Sequence, residues 1–425
     1  MKDTKPFYNS TIPSDWTSLE FGTVFSFLRS FPFSREYLTN EKTVDEIKNI
    51  HYGDIHATYE NEILDFDLEK RVPYLQDDLL NVEDFENEDF PSLVDGDLII
   101  ADASEDYDGI CECVELKNVD GLKVVSGLHT FVARAKGKKV SLGFRAYVLR
   151  HPEIRRQLRR ISTGISVFGV SKTNLSKLNI PLPPLPEQKA IAHVLSLMDT
   201  AINKNNLLIA QKELRKKWLM QNILTGKKRL KDFNGDWIKL GAGEIFNSVS
   251  IKGENEVLLS ATQDRGMIPR NMLDGRVTMP TNGTESFKLV EPGDFVISLR
   301  SFQGGLEYSY YRGLVSPAYT VLKAKRKISD EFYKFYFKSY DFVGHLAVAV
   351  IGIRDGKQVS YDDFCFVKIP FPSIEEQTAI AQLLQAADKE IRLLKTKTEK
   401  LQEQKKWLMQ VLLTGKKRLK INSKQ

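Results

Sequence analysis

Two long stretches of this chain place apolar residues at alternating four- and three-residue steps. In the first, Ile191, Leu195, Met198, Ile202, Ile209, Leu219 and Ile223 hold the pattern, interrupted by Asn205, Lys212 and Lys216. In the second, Ile380, Leu384, Ala387, Ile391, Leu394, Leu401, Leu408 and Leu412 hold it, interrupted by Thr398 and Lys405. This spacing puts one apolar stripe along a helix and makes a coiled-coil seam of about five heptads. Charge on the remaining faces suits two helices paired with each other. Gly226 and Gly415 are predicted to end the helices in the left-handed conformation. The second helix opens on Ser373-Ile374-Glu375-Glu376, which predicts a capping box with Glu376 reaching back to Ser373. Pro186 and Glu187 suit the first helix start, where a missing N–H and a carboxylate are favoured.

The two stretches are copies. Ile180–Lys231 and Ile369–Lys420, set side by side without a gap, are identical at 25 of 52 positions. Both run from an E-Q-x-A-I-A opening through W-L-M-Q to L-T-G-K-K-R-L-K. Weaker echoes extend the duplication over the chain. Asp15-Trp16-x-x-Leu19-x-x-Gly22 recurs as Asp236-Trp237-x-x-Leu240-x-x-Gly243, and Gly96-Asp97 followed by apolar residues recurs at Gly293-Asp294. Val125-Ser126-x-x-x-Thr130 recurs as Val315-Ser316-x-x-x-Thr320. The order is globule, helix, globule, helix: residues 1–185, 186–230, 231–373 and 374–425. Short runs such as Leu98–Ala101, Lys123–Val125, Phe295–Ser298 and Thr320–Leu322 predict strands, and Ala146–Ile161 and Asp330–Ala347 predict helices. The expected class is mixed α/β (α+β): two globules with mainly β sheet and helices, separated by two repeat helices. Those helices are expected to form an intramolecular antiparallel coiled coil with pseudo-two-fold symmetry.

A net charge of +5 conceals segregation: residues 51–110 carry 2 basic and 19 acidic side chains, residues 111–185 carry 14 and 4. The acidic block falls largely in sequence that the second globule lacks and predicts a solvated face. Basic faces allow nucleic-acid binding without demonstrating it. No apolar run reaches 18 residues, so no membrane span is expected, and the first residues lack the apolar core of a secretory signal. Three cysteines form no disulfide framework, and a reducing cytoplasm is the expected compartment.

Enzymatic motifs are scarce. The chain has no N/D-P-P-Y/F motif of adenine methyltransferases, and the L-T-G-K-K tails have Gln221 and Gln410 where a P-loop needs its first glycine. His51 and His56 flank Asp54, but a loop or hydrogen-bonding role fits them better than a metal. The better decoy is Asp97 with Glu115-Leu116-Lys117, the loose D…E-x-K spacing of metal-dependent nucleases. No E-x-K follows Asp294 in the second globule, which weakens it.

The two I-P-x-P-x-x-x-E-Q-x-A-I-A openings, the two W-L-M-Q-x-x-L-T-G-K exits and the V-S pairs before each Pro-rich turn give the chain a resemblance over nearly its whole length. It resembles the specificity (S) subunit of type I restriction–modification systems. The resemblance implies a non-catalytic reader of double-stranded DNA whose two target-recognition domains each contact half of an asymmetric, bipartite site. It implies that the paired helices set the spacer and dock two methyltransferase (M) subunits, which would carry S-adenosylmethionine. Two restriction (R) subunits using ATP and Mg would complete a nuclease. The chain itself would hold no cofactor or metal.

Base readout favours Arg or Lys for guanine and Asn or Gln for adenine, with Ser and Thr adaptable. On that chemistry the candidate DNA contacts are Arg300, Ser301 and Gln303, then Arg354, Lys357 and Gln358, in two polar loops of the second globule. Tyr52, His56, Ser104, Arg134 and Lys136 are the candidates in the first, which also offers the loops Ser104–Asp108 and Ile165–Gly169. In the helices, Asn205 and Lys212 predict a locally wet seam, with register setting as the competing role. Two other readings compete: a nuclease using Asp97, Glu115 and Lys117, and a coiled-coil scaffold that reads no sequence.

Overall fold

The computed structural model describes residues 3–80, 83, 85, 87, 90–253, 256–273, 283–299, 301–349 and 359–420. The chain clusters into two compact units, residues 1–205 with 397–425, and residues 206–396. The long helices run Leu185–Ile223 and Ile374–Leu412, 39 residues each, and each contributes to both units. The first unit therefore contains the opening of one helix and the exit of the other.

In the first unit the central sheet has five strands. Thr130–Ala135 and Leu98–Ala101 pair antiparallel at its middle, with Phe25–Leu28, Cys113–Lys117 and Ile63–Asp65 outside them. Leu98, Ile99, Ile100 and Ala101 are all buried, so this strand is covered on both faces and reads as an unbroken apolar run. A second sheet of four strands contains Val124–Ser126 beside Lys48–Ile50. The predicted helix over Ala146–Ile161 is a 3-10 segment, Arg145–Arg150, followed by an α-helix, Pro152–Ile161. Pro152 breaks the run because it has no N–H to donate. His151 caps the α-helix, its Nδ1 accepting the Glu153 N–H at 3.1 Å. Burial lowers the His151 pKa to about 4.

The second unit has a smaller sheet of Phe246–Val249, Thr320–Ala324, Phe295–Ile297 and Glu307–Tyr308. Its core is aromatic: Phe246, Phe295, Phe332, Tyr333, Phe337, Phe342 and Phe364 form one buried cluster. Phe246 and Phe295 meet edge to face with centroids 5.6 Å apart, a favoured ring geometry. The helix predicted over Asp330–Ala347 is two helices, Asp330–Tyr336 and Tyr340–Ala349.

The seam positions named from the 4-3 pattern are buried or half-buried in both helices. In the first unit Asn205 donates from Nδ2 to Thr398 Oγ1 at 2.6 Å. The expectation of a wet seam at Asn205 is corrected: two buried polar side chains on opposite helices satisfy each other directly. In the second unit Lys212 pairs with Glu390 at 2.6 Å, Glu213 with Lys395 at 2.7 Å, and Lys216 with Asp388. In the first unit Asp199 meets Lys405 and Asn205 meets Thr398, so the partner number falls along one helix as it rises along the other and the pairing is antiparallel.

The repeated motifs share one fastening in each unit. Glu187 accepts the Trp16 indole N–H at 3.1 Å and the Arg418 guanidinium. Glu376 accepts the Trp237 indole N–H at 2.8 Å and the Arg229 guanidinium at 2.6 Å through each oxygen. Each fastening joins a helix opening, the other helix's exit and a D-W turn. The capping box is accordingly half formed: the Glu376 N–H reaches Ser373 Oγ at 3.3 Å, while its carboxylate is committed to Arg229 and Trp237. Gly226 and Gly415 have φ of 73° and 66°, and a Cβ on either would press on Trp237 or on Pro13. The N–H of Lys228 and of Lys417 bonds back to the helix end, closing a Schellman-type cap. Gln188 and Gln377, next to the glutamates, each accept one loop N–H and donate to the carbonyl of Pro183 or Pro372. These bonds account for E-Q at the helix opening, the tryptophan of the D-W turn and the arginine of K-K-R.

Candidate nucleic-acid interface

Three of the sequence candidates come together where the Leu98–Ala101 strand ends. The next short strand, Ala103–Ser104, pairs with Phe168–Gly169. His56, on the helix Tyr52–Ala57, approaches the Ala103 carbonyl through Nε2 at 2.9 Å. Gly109 lies against both His56 and Ser104, whose Oγ would be 2.3 Å from a Cβ there. Ser104 is 4% exposed and its Oγ accepts the Asp106 N–H at 3.2 Å, so its hydroxyl organises the turn. Tyr52 is half-buried, with His129 edge-on at 5.3 Å and His56 edge-on at 6.3 Å. His129 also meets Asp102 at 3.2 Å, and Arg35, half exposed, holds Asp54 at 2.8 Å. The helix is capped by His51, whose Nδ1 accepts the Gly53 N–H; burial, then the nearby Arg35 charge, lowers its pKa. Two imidazoles, a phenol and a guanidinium thus gather at one sheet end, able to donate, accept and stack. Arg35 and His129 were not singled out from sequence, because contacts between residues 35, 54, 102 and 129 have no local pattern.

Arg134 and Lys136 lie at the opposite end of the same strands, since Thr130 faces Ala101 and Ala133 faces Leu98. Arg134 grips the fully buried Asp97 carboxylate with Nε at 2.9 Å and Nη2 at 2.7 Å. Lys136 donates to the Gly22 carbonyl at 2.7 Å. Asp97 therefore serves Arg134, and the other members of the D…E-x-K pattern are engaged elsewhere. Glu115 accepts N–H bonds from Gly143, Arg145 and Ala146, and burial pushes its pKa up to about 7. Lys117 pairs with Asp65 at 2.8 Å. The nuclease constellation is dismantled by these partners.

In the second unit Ser301 opens a short helical turn, Ser301–Gly304, and accepts the Ser298 N–H at 2.8 Å. Ser301 is 1% exposed. Gln303 is exposed and lines an open groove with Lys338, Tyr340, His345 and the helix residues Lys216, Lys217 and Lys395. Arg300, Arg354, Lys357 and Gln358 lie outside the described residues. Among the described residues no group of three or more His, Cys, Asp or Glu side chains could hold a metal ion, and no helix is long and apolar enough to cross a membrane.

In the basic tails, Arg229 and Arg418 belong to the two fastenings. Lys228 lies over the Trp218 ring at 4.8 Å and Lys417 over Trp407 at 5.2 Å. The lysines fold back on their own helices as cation–π partners.

The family model of the type I restriction modification DNA specificity domain matches residues 119–211 and 225–403. The chain is 28% identical over 369 residues to the putative type I restriction enzyme MjaX specificity subunit of Methanocaldococcus jannaschii, covering 80% of this chain and 83% of that one. It is 26% identical over 288 residues to the type I restriction enzyme MjaVIII specificity subunit of the same organism, covering 62% and 68%. Its fold is similar to the crystal structure of the type I restriction–modification S subunit from M. genitalium, with TM-score 0.52, 14% identity and coverage of 96% and 97%. It is also similar to a chain from a structure of the assembly and conformational transition of a type I R-M system, with TM-score 0.57, 17% identity and coverage of 96% and 100%.

Proposed function

We infer the function of this chain from its membership: it belongs to the type I restriction–modification DNA specificity family and is a non-catalytic, DNA-binding subunit of such a system. We propose further that residues 1–185 and 231–373 each read one half of an asymmetric, bipartite target. The helices, residues 186–230 and 374–425, set the spacer and dock two methyltransferase subunits, with up to two restriction subunits added. S-adenosylmethionine, ATP and Mg then belong to the partners, and the complex works in the cytoplasm. The observation that carries this reading is the contrast within the duplication. Glu187–Trp16–Arg418 and Glu376–Trp237–Arg229 are the same fastening, while the sheets they hold differ in strand number and core chemistry.

In the first domain the Tyr52, His56, His129 and Arg35 cluster is the part we assign to the DNA face. In the second we assign Gln303 and its groove, lined by lysines and by Glu213, Asp341 and Asp388, with Arg300, Arg354, Lys357 and Gln358 retained as candidates from sequence. Arg134 supports the sheet through Asp97. Mapping methylated adenines genome-wide in cells with and without this chain tests the reading. The expected result is loss of one split motif with unlike halves; a methylation pattern indifferent to the chain overturns it.

A further inference from the structure

We propose that the tip Gly164–Val167 is an apolar reading finger, with Ile165 inserted into the base stack of the half-site read by the first domain. The proposal rests on the DNA-binding function above. Ile165 is 95% exposed, more than any other large apolar side chain among the described residues, and Val167 is 54% exposed. A single exposed isoleucine is ordinary on a protein surface. The mounting of this one is not. Thr163 and Gly169 exchange both backbone hydrogen bonds, at 3.0 and 2.8 Å, closing the loop at its base. Phe168 packs on Tyr107 with centroids 4.0 Å apart and the rings tilted by 31°, and its strand pairs with Ala103–Ser104. Gly164 has φ 135°, and a Cβ there would meet the Val167 carbonyl oxygen at 1.8 Å, so the tight tip requires glycine.

The finger's strand, Phe168–Gly169, pairs with the strand whose Ala103 carbonyl holds His56, and Val170 bonds to the carbonyl of Asp102, the partner of His129. It shares the sheet end with the polar cluster assigned to DNA. The helix leading into it carries Arg159 and Arg160 in its last turn; Arg159 pairs with Asp108 at 2.6 Å, and the exposed Arg160 suits an approach to phosphates. An aliphatic wedge between base steps partly unstacks them and kinks the duplex, and it is favoured where the step deforms easily. Ile165 would thereby select a step by deformability, without a hydrogen bond to any base.

The test uses the full chain assembled with its methyltransferase subunits and the target obtained by methylation mapping. Duplexes carry 2-aminopurine at successive positions of each half-site, and wild type is compared with Ile165→Ala and Ile165→Arg. Wild type is expected to raise 2-aminopurine fluorescence at one step of one half-site. Ile165→Ala should abolish that signal and weaken specific binding about tenfold, with non-specific binding unchanged. Ile165→Arg should keep affinity and lose selectivity at that step. Thermal unfolding of both variants should match wild type, because the side chain is exposed. If wild type selects its target and Ile165→Ala equals it in affinity and fluorescence, the finger alone is wrong. Loss of the methyltransferase subunits from Ile165→Ala on gel filtration also overturns it, in favour of a protein contact. Wild type without any sequence preference defeats the finger and the proposed function together.

Discussion

The same cross-helix ion pair occurs twice in this molecule, in different surroundings. In the second unit Lys216 meets Asp388, both partly exposed, and lies 5.6 Å from the Phe335 ring. In the first, Lys405 meets Asp199 at 2.5 Å and also Glu62 at 2.5 Å, and all three are nearly buried. Glu62 comes from the acidic stretch that the second globule lacks, and Arg150 stands 3.7 Å from it. Burial works against the charge on Lys405, but Glu62 and Asp199 outweigh it and raise its pKa. Glu62 stays ionised despite burial because Lys405 and Arg150 hold its pKa down. A pair inherited through duplication has become a buried network where the globule supplied a third partner. The repeat fixes which residues meet, and the divergent globule fixes how much the meeting matters.

That difference should be measurable. Lys405→Met strands two buried carboxylates and is expected to cost about 3–5 kcal/mol, read by urea unfolding of the full chain. A cost equal to that of Lys216→Met would erase the distinction between the units. Next come the fastenings: Glu187→Gln and Glu376→Gln should each cost about 2–3 kcal/mol, since each weakens charge-assisted bonds to a guanidinium. Their near equality is the expected outcome, and a large disparity would mean that the two copies are not equivalent.

The His151 cap adds a pH signature to the first unit. Its folded pKa of about 4 lies below the unfolded value of roughly 6.5, so the unfolded chain binds the extra proton. Stability should therefore fall as pH drops from about 6.5 to about 4, by about 2 kcal/mol between pH 7 and pH 4.5. His151→Asn keeps a capping acceptor and should remove this component of the pH dependence, checked by urea midpoints at both pH values. The smallest effect is expected for Lys216→Met, below about 1 kcal/mol, as for exposed ion pairs generally.

The helical half of the fold was legible because its signals are local. The 4-3 spacing places seam residues by helix geometry alone, and Gly226 and Gly415 mark left-handed ends that few other residues tolerate. The strands at Leu98 and Phe295 were legible from apolar runs between glycine, aspartate and serine. Side-chain partners were not. Glu376 fits a capping box by spacing, yet its carboxylate goes to Arg229 and Trp237, 147 and 139 residues away. Arg134 has the right chemistry for guanine, but Asp97 lies across the strand pair and holds it. Tyr52 and His56 were named as candidates from a short polar run, whereas His129 joins them only through the fold. Residue type identifies what a side chain can bind, and only tertiary structure identifies what it already binds.

In the proposed function the constant helices measure distance while the divergent domains choose bases. The direct test inserts one heptad into each long helix at matched seam positions and maps methylated adenines in cells carrying the altered chain. A target with both half-sites unchanged and a longer spacer is predicted. An unchanged spacer, or altered half-sites, would contradict it.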